Sequence, residues 1–152
     1  MLFYKSSDLV TILTIEMKER GETWQKVTQR MGKSGRSFRR QVCRPDPNPS
    51  SDPFFECLRI LELELAGCRR VSEFVNLLNR ERREAGLSYR QLAKAMIPGV
   101  SFSTVSRVLA GQQTPRLMTL LTIACALGVH PEIHPARKHV RRSDRDREDH
   151  PL

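Results

Sequence analysis

Basic side chains are concentrated in residues 18–44, where nine lysines and arginines stand against two acidic residues, for a local net charge of +7. The whole chain of 152 residues carries +9, with an isoelectric point near 10.0. Guanidinium and ammonium groups bind phosphates and base edges, so this excess indicates a polyanionic partner. The alternative is a basic surface that only interacts with water. The concentration of the charge in one short segment favours the first interpretation.

The elements that must position these side chains form a pattern that occurs twice, with the copies 65 residues apart. Ser7-Asp8-Leu9-Val10 corresponds to Ser72-Glu73-Phe74-Val75, and the same offset relates Met31 to Met96. A match at a constant offset indicates that one unit has been duplicated. We therefore expect two modules whose relative geometry matters for function.

Apolar residues recur at helical spacing through both copies, and the sequence shows no strand pattern, which predicts an all-α fold. The first copy predicts helices over about 8–20, 24–31, 35–43 and 54–65. The second predicts helices over about 72–85, 89–96, 102–110 and 115–127, with Ser72, Ser88 and Ser101 as N-caps. The proline-rich residues 44–53 predict an extended strap, and few spare residues near Gly67 join the copies, which should therefore be close neighbours.

The second copy contains Ser88-Tyr89-Arg90-Gln91-Leu92-Ala93 and then Val100-Ser101-Phe102-Ser103-Thr104-Val105. This segment resembles the phage-repressor/Cro-like (XRE) helix-turn-helix family, and the resemblance extends over about 72–130. The first copy resembles the family more loosely over 27–42. The resemblance implies two tandem lambda-repressor-like bundles, each holding one recognition helix in the major groove of DNA (35–43 and 102–110). The expected domains are a degenerate basic helix-turn-helix at 1–67, a Cro/XRE-like one at 68–135 and a charged flexible tail at 136–152.

The family's pattern assigns the outward positions of each recognition helix to base reading. In this chain they are Arg36, Ser37, Arg39, Arg40, Phe102, Ser103, Thr104, Ser106 and Arg107, with Gly35 at a further outward place of the first copy. The arginines suit guanine or phosphate, and Phe102 suits thymine methyl groups. The inward positions should only form core: Val27, Thr28, Met31, Phe38, Val42, Leu92, Ala93, Met96, Val105 and Val108.

Phosphate contacts are expected mainly at the start of the second helix of each copy, where free N–H groups favour an anion. The residues assigned to phosphate are Thr23, Trp24, Lys26, Lys33, Arg44, Ser88, Tyr89 and Gln91. Trp24 and Tyr89 stand where the family usually has Gln, so each either donates a hydrogen bond to a phosphate or only packs. Ile97-Pro98 are two extra residues in the turn of the second copy, which predicts a tilted recognition helix there. In the first copy Glu22 replaces an apolar residue, so one module is a candidate for positioning or dimerisation only.

Other classes of function have little support in the sequence. Four scattered cysteines predict reduced thiols rather than a disulfide framework or a zinc site, and the prolines after His130 and His134 disfavour a shared metal. No nucleophile with its base marks an enzyme, so we expect no catalysis and no cofactor. The start of the chain does not resemble a signal peptide, and no apolar run is long enough for a membrane span. A cytoplasmic location is expected.

These observations predict a sequence-specific double-stranded DNA-binding transcriptional regulator, and the family analogy implies a phage, plasmid or integrative element. RNA polymerase or another regulator is a further candidate partner. A homodimer is favoured by the apolar fourth helices, whereas a single chain acting as a pseudo-dimer is the alternative. The rival function is an antitoxin or antiactivator that uses the helix-turn-helix to hold a protein.

Overall fold

The computed structural model describes residues 4–96 and 99–137. Over these residues the chain forms eight helices and two short strands, so the all-α prediction of fold class is confirmed. The elements are, in order, α1 Ser6–Glu19, α2 Trp24–Arg30, α3 Lys33–Val42, α4 Ser51–Ile60, β1 Leu63–Leu65, α5 Val71–Glu84, α6 Tyr89–Ala95, α7 Phe102–Leu109, α8 Leu117–Ala126 and β2 Ile133–Pro135.

The strands correct two predictions, the absence of any strand and the helix over 54–65. The chain leaves the helical conformation after α4, because Glu62 has a φ of 57°. β1 then pairs antiparallel with β2, with Leu63 opposite Pro135 and Leu65 opposite Ile133. Leu63 and Leu65 are both buried, so the short strand completes the core in a way that a longer helix could not.

Several helix starts also differ from the prediction. α4 begins at Ser51, so the last residues of the predicted extended strap 44–53 are helical. α5 begins at Val71 with Arg70 as its N-cap, so Ser72 lies inside the helix and is not the cap. α8 begins at Leu117 rather than at Pro115, and the Pro115 carbonyl accepts hydrogen bonds from Ser51 instead. Ser88 and Ser101 do cap α6 and α7, as predicted.

One continuous hydrophobic core runs through both halves of the chain. The Phe55 ring on α4 lies 6.0 Å from the Phe74 ring on α5, so aromatic packing joins the first half to the second. The predicted inward positions are buried, apart from Ala93, which is partly buried. The first and second halves of the chain therefore pack directly against each other.

The proline-rich strap packs against the segment that precedes α8. The Leu117 N–H donates to the Pro49 carbonyl at 2.8 Å, and the Ser51 N–H donates to the Pro115 carbonyl at 3.1 Å. Ser50 lies opposite Arg116 in an antiparallel bridge between these two bonds. Residues 49 and 51 of the strap correspond to residues 115 and 117 of the later segment, at a constant offset of 66. When each residue is replaced by its counterpart, one of these hydrogen bonds becomes the other. The pairing has the symmetry of a two-fold axis.

A second antiparallel pairing, of β1 with β2, also joins the halves. In the β1–β2 pair Glu64 lies opposite His134, with equivalent partners on either side of that central pair. α4 packs against α8, while α1 packs against α8 and α5 packs against α4. Since α1 occupies in the first half the place of α5 in the second, the last two contacts are counterparts of each other. In these helix contacts the joint resembles the isologous interface of a two-fold dimer.

Candidate nucleic-acid interface

In the first half, α2 forms the support on which α3 lies. The Thr23 hydroxyl accepts from the Lys26 N–H at 3.2 Å and caps α2. Trp24 packs edge-on against Phe38, with ring centres 5.9 Å apart. The two helices approach closely at Gly35, where a Cβ would overlap the Thr28 carbonyl oxygen. Gly35 is therefore buried and does not face outward, which corrects its predicted place among the outward positions.

In the second half, α6 supports α7. Ser88 and Gln91 form a reciprocal capping box at the start of α6, with hydrogen bonds of 2.8 and 3.1 Å. The far end of α7 is held from α5, because the buried Asn79 donates through Nδ2 to the Leu109 carbonyl at 2.6 Å. A helix tied at its C-terminal end to a neighbour presents its opposite face at a defined angle.

The outward face of α3 is strongly basic. Arg36, Ser37, Arg39 and Arg40 are all exposed, and the three guanidinium groups form no ion pair with any residue that the structure describes. The opposite face is buried through Phe38 and Val42. α3 thus offers three unneutralised cations on one side of a fixed helix.

The outward face of α7 is mixed in chemistry. Phe102, Ser103 and Arg107 are exposed, while Thr104 and Ser106 are partly buried. The Ser101 hydroxyl lies 2.8 Å from the Thr104 hydroxyl and 3.2 Å from that of Ser103, so both predicted base readers also belong to the cap of α7. The Arg107 Nε donates to the Ser103 carbonyl at 3.3 Å.

The residues assigned to phosphate fall into two groups. The exposed ones are Thr23, Lys26, Lys33, Arg44, Ser88 and Gln91. Trp24 and Tyr89 are only partly exposed. Trp24 packs on Phe38, and the Arg82 guanidinium lies 4.4 Å from the centre of the Tyr89 ring.

Sequence reasoning missed Arg90, an exposed residue of α6 whose guanidinium lies 4.5 Å from the centre of the Phe102 ring. Phe102 stands twelve positions further along the chain, beyond a turn, so no local spacing predicts this contact. The pair brings a second cation beside the outward face of α7. The inserted Ile97-Pro98 lie outside the described residues, and so does the basis for the predicted tilt of α7.

The described residues contain no group of three or more His, Cys, Asp and Glu side chains arranged to hold a metal ion. Cys57 and Cys68 are buried free thiols. Burial, reinforced by Glu56, raises the pKa of the Cys57 thiol to about 12, and burial with Glu73 and Glu64 raises the pKa of Cys68 to about 11. Among the helices of the described ranges, none has the length and apolar character needed to cross a membrane.

The part of the chain that contains α6 and α7 is similar to a known family. Residues 78–133 match the helix-turn-helix family. The match runs from within α5 to the first residue of β2 and includes every predicted base reader of α7. It supports a DNA-binding helix-turn-helix regulator. No curated protein and no solved structure gives a match to the chain.

Proposed function

We propose that the protein is a sequence-specific double-stranded DNA-binding transcriptional regulator that places α7 and α3 in the major groove. The observation that carries this proposal is the two-sided character of α7 within the helix-turn-helix match. Val105, Val108 and Leu109 are buried against the core, whereas Phe102, Ser103 and Arg107 face outward. A helix can read base edges only if one side is held by the protein and the other is free.

The outward residues of α7 provide complementary kinds of contact. Phe102, 39% exposed, is one of two large hydrophobic residues exposed in the described part of the chain, the other being Ile15. An apolar ring at the start of a reading helix suits the methyl group of thymine. Arg107 can donate hydrogen bonds to guanine or to a phosphate, and the Ser103 hydroxyl can form a hydrogen bond with the edge of more than one kind of base.

α3 adds the electrostatic part of the proposal. Arg36, Arg39 and Arg40 lie on one exposed face, and residues 18–44 carry a net charge of +7. Such a field attracts a polyanion and makes binding dependent on salt. A protein partner, as in an antitoxin or antiactivator, has little need of this concentration of positive charge. The resemblance of 72–130 to phage repressors favours a regulator of mobile-element type.

The test begins with selection of bound duplexes from a random library by the purified full-length protein. Fluorescence anisotropy then gives Kd for the selected duplex, for a scrambled duplex and for single strands. We expect a preference for the selected duplex. Arg107→Ala should relax the base preference at one position by about 1–3 kcal/mol, and Arg39→Ala with Arg40→Ala should weaken binding and flatten its salt dependence.

The matched control is Arg80→Ala, which removes an exposed arginine of α5 near Gly67, away from α3 and α7. This variant should bind like the parent. The proposal fails if the parent protein does not retain duplex DNA. The residue assignment fails if the variants of α3 and α7 bind as tightly and as selectively as Arg80→Ala.

A further inference from the structure

We infer that one chain, acting as a monomer, reads a duplex site of two unlike halves in successive major grooves, with α3 on one half and α7 on the other. The inference rests on the proposed function and specifies the number of chains and the form of the site. Proteins of this shape usually meet two half-sites as a two-fold dimer, with about 34 Å between the reading helices. The question is whether the second reading helix comes from another chain or from this one.

The joint inside the chain already has the form of a dimer interface. The hydrogen bonds from Leu117 to Pro49 and from Ser51 to Pro115 are counterparts of each other, and so are the contacts of α1 with α8 and of α5 with α4. In a homodimer, an isologous interface uses the same patch twice in this way. Here the two patches belong to one polypeptide, so the joint does not depend on protein concentration.

The apolar surface that favoured a homodimer is used within the chain. The side chains on which that expectation rested are fully buried or nearly so, and they are Phe54, Phe55, Leu58, Leu61, Leu117, Leu120 and Leu121. α4 and α8, which carry most of them, pack against each other. In the described ranges the exposed large hydrophobic residues are Ile15 and Phe102, which do not form the apolar centre of a stable homodimer interface.

The two-fold arrangement also bears on where the reading helices lie. A rotation about an axis leaves the height of every atom along that axis unchanged. We therefore expect α3 and α7, which occupy the same place in their halves, to lie at the same level of the molecule. Two helices at one level can enter one side of a duplex together, as the two subunits of a helix-turn-helix dimer do.

The two faces differ in chemistry, so the two halves of the site must differ as well. α3 presents Arg36, Arg39 and Arg40, whereas α7 presents Phe102, Ser103 and a single arginine, Arg107. Residues 18–44 hold nine basic and two acidic side chains, whereas the corresponding residues 83–110 hold four basic side chains and one acidic side chain. We expect a guanine-rich half beneath α3, which also supplies most of the salt dependence, and a half with thymine beneath α7.

The experiment uses the full chain and the duplex selected for it. Sedimentation at micromolar protein should give one 17.5 kDa chain per duplex. The selected site should have two unlike halves. Arg39→Ala with Arg40→Ala should relax selection in one half and Arg107→Ala in the other, with Arg80→Ala as the control. Inserting about half a turn of DNA (~5 base pairs) between the halves should weaken binding by roughly tenfold or more, since one continuous core fixes α3 relative to α7.

The outcomes separate the two proposals. Two chains on a palindromic duplex overturn this inference and leave DNA binding intact. Equal affinity for the duplex with the insertion also overturns it, because then one helix alone reads the site. Failure to retain any duplex overturns both proposals.

Discussion

The guanidinium of Arg90 lies 4.5 Å from the centre of the Phe102 ring, so a cation of α6 covers the first residue of α7. The contact crosses the turn between the support helix and the reading helix. It places a guanidinium over an exposed aromatic ring on the face that we assign to DNA. The positive charge beside the ring also favours approach of a phosphate.

Arg90→Ala and Phe102→Ala should each weaken binding to the selected duplex, and the double variant should lose less than the sum of the two. A cation–π contact at an exposed site is worth ~0.5–1 kcal/mol, and we expect a coupling free energy of this size. Anisotropy titrations of the four proteins give the cycle. Lys94→Ala on the same helix replaces Arg90→Ala in a control cycle, which should be additive. Additive losses for Arg90 and Phe102 would show that the contact does not orient the ring for DNA.

Gly35→Ala should destabilise the fold, because the new Cβ would overlap the Thr28 carbonyl oxygen and force α2 and α3 apart. Overpacking of this kind costs ~1–3 kcal/mol. Urea unfolding followed by circular dichroism measures the free energy of unfolding. Gly99→Ala is the matched control. A Cβ added at Gly99 would have no atom within 4 Å, so this variant should be neutral or slightly stabilising. Equal stability of the two variants would contradict the close helix approach.

Local patterns predicted most of the helices, but contacts distant along the chain decided the rest. The inward positions of α3 and α7 are buried as predicted, whereas Thr104 and Ser106, which the family's pattern placed outward, are partly buried. Gly35 was placed outward because the family's pattern sets a position and not how closely two helices approach there. The Leu-Glu-Leu-Glu-Leu run of 61–65 has the alternation typical of a strand, yet its partner, β2, lies about 70 residues further on. Without that partner the run was assigned to the preceding helix.

The packing of the two halves against each other could not be predicted from the sequence for a similar reason. The duplication suggested two modules, but a homodimer and a single-chain pseudo-dimer use the same apolar residues on α4 and α8. In the structure the apolar residues of α4 and α8 are buried within the chain, and the backbone of Pro49 and Ser51 pairs with that of Leu117 and Pro115. The Arg90–Phe102 contact was also not predicted, because it forms only when α6 and α7 pack against each other.

Asn79→Asp should destabilise the attachment of α7 to α5 at neutral pH. The Asn79 Nδ2 donates to the Leu109 carbonyl at 2.6 Å in a buried position, and a carboxylate there would instead face that oxygen. Loss of the bond with a buried charge costs on the order of 3 kcal/mol. Burial would raise the pKa of the new carboxyl group in the folded state. The variant should therefore regain stability as the pH falls, because the protonated acid can donate to Leu109.

Thermal unfolding between pH 4 and pH 8 measures this effect relative to the parent. Asn76→Asp, an exposed change on the same helix, is the control and should follow the parent at each pH. If Asn79→Asp is as stable as Asn76→Asp at pH 7, the bond to Leu109 does not support α7.

The buried thiols predict a loss of stability in alkaline solution. Burial raises the pKa of Cys57 to about 12, and the pKa of Cys68 to about 11, from the usual thiol value of 9.0. Below pH 9 both thiols are protonated whether the chain is folded or not, so their contribution to stability is complete. As the pH rises towards 11–12 the unfolded chain releases protons that the folded chain retains, and the free energy of unfolding falls. The decline is at most ~1.4 kcal/mol per pH unit for each thiol.

Urea unfolding at a series of pH values should therefore show a shallower alkaline decline for Cys57→Ala than for Cys43→Ala, which removes an exposed thiol at the end of α3. Equal slopes for the two variants would mean that the Cys57 thiolate is not excluded from the folded core.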